Sequence, residues 1–95
     1  MSKIIIRALG VISSHLENFE GELNIQEGSS VEDILCELDE LNPGLKSLLI
    51  DPALKSHLPN TLILLNGVEI GNISGLDTPV LDGDEIMILS VTHGG

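Results

Sequence analysis

The 95 residues predict an α+β fold, a sheet packed on one main helix. The order of hydrophobic periodicities carries the prediction: two strand-like runs, one strongly amphipathic helix, an irregular crossover, then at least two more strands. A chain this short makes one domain with a single modest core, so residues 1–95 are read as one unit.

The first element is "KIIIRALGV", Lys3 to Val11, β-branched at its start. Three consecutive isoleucines, Ile4 to Ile6, predict a strand with both faces largely covered. Ser13 to Asn18 is polar and reads as a loop. "FEGELNIQ" then alternates, with Phe19, Gly21, Leu23 and Ile25 on one side and Glu20, Glu22, Asn24 and Gln26 on the other. This is the pattern of a half-exposed strand, expected to form a hairpin with the first.

The helix is "SSVEDILCELDELNPG". Ser29 and Ser30 offer N-caps, and Glu32 and Asp33 supply box partners and first-turn acids. Val31, Ile34, Leu35, Leu38 and Leu41 make one apolar stripe, and Pro43-Gly44 stops the helix. Residues 45–61 carry two prolines and the short apolar piece "LKSLLI", which predicts a helical turn or two within an irregular crossover. "TLILLNGVEI" gives a strand over Leu62–Leu65 and an Asn-Gly hairpin turn. After a Pro-containing loop, the Asp82-Gly83 turn opens a last strand from Glu85 to Ser90. Repeats, linkers and low-complexity tracts are absent from the sequence.

Fifteen acidic residues against four basic ones give a net charge of −11, which repels phosphate backbones and anionic membrane surfaces. A protein partner with a basic face fits this charge, and so does plain solubility. The single aromatic residue argues against stacking on bases. No apolar run approaches the roughly 18 residues of a membrane span, and the start lacks a signal-peptide layout. One cysteine rules out an internal disulfide and fits a reducing cytoplasm.

Catalytic and metal-binding patterns are weak. His15, His57 and His93 lie far apart, and no Gly-rich loop joins a strand to a helix. Asp82, Asp84 and Glu85 form only a fragment of a calcium loop, and a turn that opens a strand accounts for them. At about 100° per residue, Cys36 falls opposite the apolar stripe among Glu32, Asp33, Asp39 and Glu40. These carboxylates are expected to disfavour its thiolate. No base, orienting group and nucleophile converge, so an acid–base enzyme is not supported.

The last strand is apolar on both faces, Ile86 and Ile88 one way and Met87 and Leu89 the other. One helix covers only one face of a sheet, so the second pair either meets a partner or lies under the crossover. Beyond Leu89, six residues reach about 20 Å at about 3.3 Å each. Gly94 and Gly95 add no side-chain bulk, so a carboxylate there suits a narrow channel in another protein. That carboxylate is inert until activated, for example as an acyl-adenylate.

In "SVEDILCELDELNPGLKSLL", "TLILLNGVEI" and "LDTPVLDGDEIMILSVTHGG" the chain resembles the ubiquitin-like β-grasp sulfur carriers. The last segment is similar to the molybdopterin synthase small subunit and the archaeal small modifiers, and "THGG" to the ubiquitin-related modifier of tRNA thiolation. Ser90 and Val91 stand where the molybdopterin synthase subunits carry a Pro-Pro pair. Aliphatic residues such as Leu89 replace their docking-face aromatics. The thiazole-synthesis carriers are shorter after the helix and fit less well.

The resemblance implies a β-grasp, a mixed sheet cradling the helix, with the first and last strands side by side and a flexible tail over residues 90–95. It implies a carrier that is not itself an enzyme and holds no cofactor. An ATP-using enzyme of the ubiquitin-activating type would adenylate Gly95, and a sulfur donor would convert it to a thiocarboxylate. Sulfur would then pass to a biosynthetic acceptor, for molybdenum cofactor synthesis or tRNA thiolation; some relatives instead join the glycine to protein lysines. Gly94 and Gly95 are the implied reactive tail, and Leu89 the implied docking residue. Met87, on the same face, and Val91 and His93, on the span between docking and reaction, are the further partner-binding candidates. A β-grasp adaptor with an idle tail is the alternative.

Overall fold

The computed structural model describes residues 2–10, 20–51, 56–57 and 61–90. Strands β1 (Ser2–Gly10) and β2 (Glu20–Ile25) form the expected antiparallel pair, with Ser2 opposite Ile25 and Arg7 opposite Glu20. Strand β7 (Glu85–Ser90) runs parallel to β1 and antiparallel to β5 (Thr61–Leu65), which pairs with the short β6 (Val68–Glu69). The order β2-β1-β7-β5-β6 makes a mixed five-stranded sheet with the last strand at its centre. First and last strands lie side by side, as the resemblance implied.

Helix α1 (Val31–Leu41) starts at Ser30 through a complete capping box. The Asp33 amide donates to Ser30 Oγ at 3.2 Å and the Ser30 amide donates to Asp33 Oδ2 at 2.9 Å. The Val31 amide, one of the groups a helix start leaves unpaired, donates to the Thr78 carbonyl at 2.9 Å. Val80 N donates to the Ser29 carbonyl at 2.9 Å, so the helix start is sewn to the loop before β7. Val31, Ile34, Leu35 and Leu38 are buried, each stabilising the fold by about 1.5–3 kcal/mol before entropy is counted.

Leu41 departs from the predicted stripe, being 67% exposed. The chain turns away at Gly44, whose φ of 95° is left-handed, and helix α2 (Leu45–Leu49) covers that end of the core with Leu45 and Leu49. Asp39 Oδ1 accepts from the amides of Gly44 (3.1 Å) and Lys46 (3.0 Å) and so fixes α2 against α1. The crossover continues into a small second sheet, β3 (Ile50–Asp51) antiparallel to β4 (Ser56–His57).

The core lies between α1 and one sheet face, where Ile4, Ile6, Ala8, Ile63, Ile86 and Ile88 are all fully buried. Two 3-10 turns, Ile70–Asn72 and Gly75–Asp77, bring Ile70 and Leu76 under it. The expectation that both faces of β1 are covered does not hold. Ile5 is 36% and Leu9 42% exposed, while their even-numbered neighbours are buried. The period-2 pleat sends alternate residues to opposite faces, and among the described residues the helices cover only one of them.

Candidate functional site

The site is built on the two faces of β7. Ile86 and Ile88 are fully buried against the core; Met87 and Leu89 are half-buried on the outer face. Register extends this outer face across three strands. Leu89 lies opposite Leu9 of β1 and Leu62 of β5, and Met87 lies opposite Arg7 and Leu64. Leu9, Leu89 and Leu62 thus form an apolar row across the sheet, with Leu9 42% and Leu62 39% exposed. That row sits at the end of β7 from which the chain continues into residues 91–95.

Charged groups frame the row on the side of β2. Arg7 Nε lies 2.8 Å from Glu20 Oε2 and 3.3 Å from Glu85 Oε2, and Lys3 Nζ lies 3.7 Å from Glu22 Oε1. The Arg7 contacts are ion pairs of poor hydrogen-bond alignment, since Nε has no well-directed acceptor among the described residues. Exposed pairs of this kind contribute little stability, about 0–1 kcal/mol each. They leave the outer face with a neutralised polar side and an uncharged apolar side.

The residues ahead of β7 set its register. Lys3 N donates to Asp82 Oδ1 at 2.7 Å and Gly83 N donates to the Lys3 carbonyl at 2.8 Å. Gly83 has a φ of 86°, a conformation most side chains resist. The Asp84 carboxylate accepts from Leu81 N (2.8 Å) and from Asn66 Nδ2 (2.9 Å), and Asn66 Oδ1 accepts from Glu85 N (2.9 Å). Asn66 and Gly67, with φ of 50° and 85°, form the tight turn of the β5–β6 hairpin. This turn is therefore tied directly to the start of β7. Asp82 and Asp84 hold backbone and amide donors, in agreement with the turn-forming role read for them. Among the described residues, no group of three or more His, Cys, Asp and Glu side chains is placed to hold a metal ion.

Cys36 is exposed on α1, as helical periodicity predicts. Its charged surroundings are not only the four acids: Lys46 of α2 donates from Nζ to Cys36 Sγ at 3.0 Å and lies 3.8 Å from Glu32 Oε2. The contact with the Cys36 sulfur holds the Lys46 pKa above its ordinary value; burial opposes it, and Glu32 and Asp39 add smaller support. Sequence periodicity along one helix does not reveal a cation delivered by the next.

Of the sequence-derived site residues, the structure brings Met87 and Leu89 together on one face. Val91, His93, Gly94 and Gly95 lie outside the described residues, as do His15 and Phe19. Sequence reasoning missed Leu9, Leu62 and Leu64, which complete the apolar face. Their alternation with buried neighbours was readable, but the strand register that joins them to Leu89 was not.

A mixed sheet cradling one capped helix, with its last strand central and parallel to the first, is the ubiquitin-like β-grasp architecture. A model described as the ThiS family matches residues 12–95, and the chain belongs to that family, among the ubiquitin-like β-grasp sulfur carriers. No curated protein matches it by sequence. The chain is similar to small archaeal modifier protein 1 from Methanosarcina acetivorans (TM-score 0.74, 29% identity, covering 100% of this chain and 98% of that one). It is also similar to Urm1 from Trypanosoma brucei (TM-score 0.77, 20% identity, 99% and 96% covered). A chain of the BexX/CysO complex of Amycolatopsis orientalis matches as well (TM-score 0.77, 20% identity, 97% and 99% covered). At 20% identity the last two establish the fold alone. No helix among the described residues is long and apolar enough to cross a membrane.

Proposed function

We propose that this protein is a cytoplasmic sulfur carrier whose reactive group is the Gly95 carboxylate, and that it is a co-substrate of other enzymes. In the proposed cycle a carboxylate oxygen attacks the α-phosphorus of ATP in an adenylating enzyme and pyrophosphate leaves. Hydrosulfide from a sulfur donor then attacks the acyl carbon, and AMP leaves to give the thiocarboxylate. The thiocarboxylate hands its sulfur to an acceptor in molybdenum cofactor synthesis or tRNA thiolation. ATP belongs to the activating partner; the carrier itself needs no bound cofactor.

The observation that carries this reading is the partly exposed apolar row Leu9–Leu89–Leu62 at the exit of β7, in a chain of the ThiS family. An apolar row rimmed by paired charges suits docking on an enzyme, while the glycines enter its active site. Met87 and Leu64 extend the docking face; Val91 and His93 fall on the span to Gly94 and Gly95. Likeness to a small archaeal modifier favours one variant of the chemistry, in which a protein lysine amine takes the activated acyl group as an isopeptide.

The test is intact-mass spectrometry after incubation with a cognate adenylating enzyme, ATP and sulfide. The expected species is heavier by the exchange of one oxygen for sulfur, and deleting Gly95 abolishes it without unfolding the chain. An unchanged mass, with an enzyme active on another carrier, refutes the reading. A β-grasp adaptor would keep its partner after the same deletion.

A further inference from the structure

We propose that the outer edge of β2, with the acid-lined groove beside it, binds an extended lysine- or arginine-rich segment of a partner protein as an added strand. This goes beyond the carrier reading and does not depend on the tail.

Strand β2 ends the sheet, with β1 as its one neighbour among the described residues. Its six residues run about 20 Å in unbroken one-to-one register with β1, without proline or bulge. In an antiparallel pair alternate residues point both backbone groups inward, so the other set faces outward as donors and acceptors. Among the described residues nothing pairs with them. Such an edge is a template for strand addition.

The side chains determine which strand fits. On the core side of β2, the side that carries α1, Gly21 supplies no bulk and Leu23 is half-buried, which leaves room for the aliphatic stems of lysine or arginine side chains of an added strand. Past Ile25, an open groove of about 330 Å³ is lined by Gln26, Ser29, Asp33 and Glu37. Among the described residues neither Glu27 nor Glu37 has a cationic partner, because Lys3, Arg7 and Lys46 are held by Glu22, Glu20, Glu85 and Glu32. Asp33 keeps one oxygen on the Ser30 amide and adds its charge to the groove. A second copy of this chain would bring Glu20 and Glu22 against the same residues, and the net charge of −11 adds repulsion. A basic extended segment removes both objections. Its backbone pairs with the edge, and its alternate cations reach the acids beyond. The row Leu9–Leu89–Leu62 lies off this edge and stays open.

The probe is a capped hexapeptide of alternating lysine and valine, added to the full chain labelled with nitrogen-15. Binding is read from amide shifts and hydrogen exchange. The expected result is new exchange protection at alternate amides within residues 20–25. N-methylation of the peptide backbone on one edge should weaken binding about tenfold or more while leaving its charge intact. Glu37→Gln should weaken it about twofold to fivefold. Deleting Gly94 and Gly95 should change neither, which separates this result from the fate of the carrier reading. Equal binding by the methylated peptide, or the absence of protection in β2, overturns the proposal. So does concentration-dependent protection of β2 without peptide, which would make a second copy the occupant.

Discussion

Adjacent residues of β7 should behave oppositely when truncated. Ile88 is fully buried, and Leu89 is half-buried on the outer face. Ile88→Ala removes three buried carbons, worth about 2.4 kcal/mol at about 0.8 each, and the cavity brings the cost to about 3–4 kcal/mol. In a domain of this size each kcal/mol lowers Tm by about 4–8 °C, so the loss is at least about 12 °C. Leu89→Ala removes the same number of carbons from a partly exposed side chain and leaves no closed cavity, for about 1.5–2 kcal/mol and about 6–16 °C. Circular dichroism melts give these shifts. Initial rates of adenylation, measured by pyrophosphate release well below the melting range, give the second readout. There the order reverses: Leu89→Ala lowers kcat/KM about 5- to 30-fold, as expected for an interface anchor. Ile88→Ala, still folded at the assay temperature, stays within about twofold. If Leu89→Ala is the less stable variant, or both variants adenylate alike, the division of β7 into a core face and a docking face is wrong.

The Asp84 carboxylate joins two segments by accepting from Leu81 N and Asn66 Nδ2. Asp84→Ala should therefore cost about 2 kcal/mol, read as a Tm drop of about 10 °C, and added calcium should not shift the wild-type Tm. Thr61 is 3% exposed, and its hydroxyl has no hydrogen-bond partner among the described residues. Thr61→Val should be neutral or stabilising by about 1 kcal/mol in denaturant titrations, and a loss of that size would show that the hydroxyl has a partner.

The elements were legible because each had a local physical cause. Ser30 and Asp33 lie at capping-box spacing, Asn66-Gly67 supplies two left-handed residues, and Glu20 to Ile25 alternates. Two expectations failed because a tertiary contact decided them. The Ile4–Ile6 run read as a strand covered on both sides, yet β-branched residues satisfy strand geometry whether or not each is buried. Ile5 is thus exposed beside two fully buried isoleucines. Leu41 completed a helical stripe, but α2 turns in at Gly44 and seals the core before that stripe ends.

The candidate site shows the same limit in a different form. Apolar alternation in β7 was enough to put Met87 and Leu89 on a face opposite Ile86 and Ile88. It could not supply Leu9 or Leu62, which lie 80 and 27 positions away in the chain. They join Leu89 only because β1 pairs parallel to β7 and β5 pairs antiparallel to it. No hairpin turn joins a strand to its parallel neighbour, so the core face sets this register together with the bonds that join Lys3 to Asp82 and Gly83. Ile6, Ile86, Ile88 and Ile63 must all point at α1, and Ala8 lies opposite Ile88. A slip of one residue would bury Leu9 and Leu89 and expose the isoleucines. The residues that hold the core in register are therefore the ones that align the outer leucines. A core substitution that shifts β1 against β7 would break up the proposed docking row without touching it.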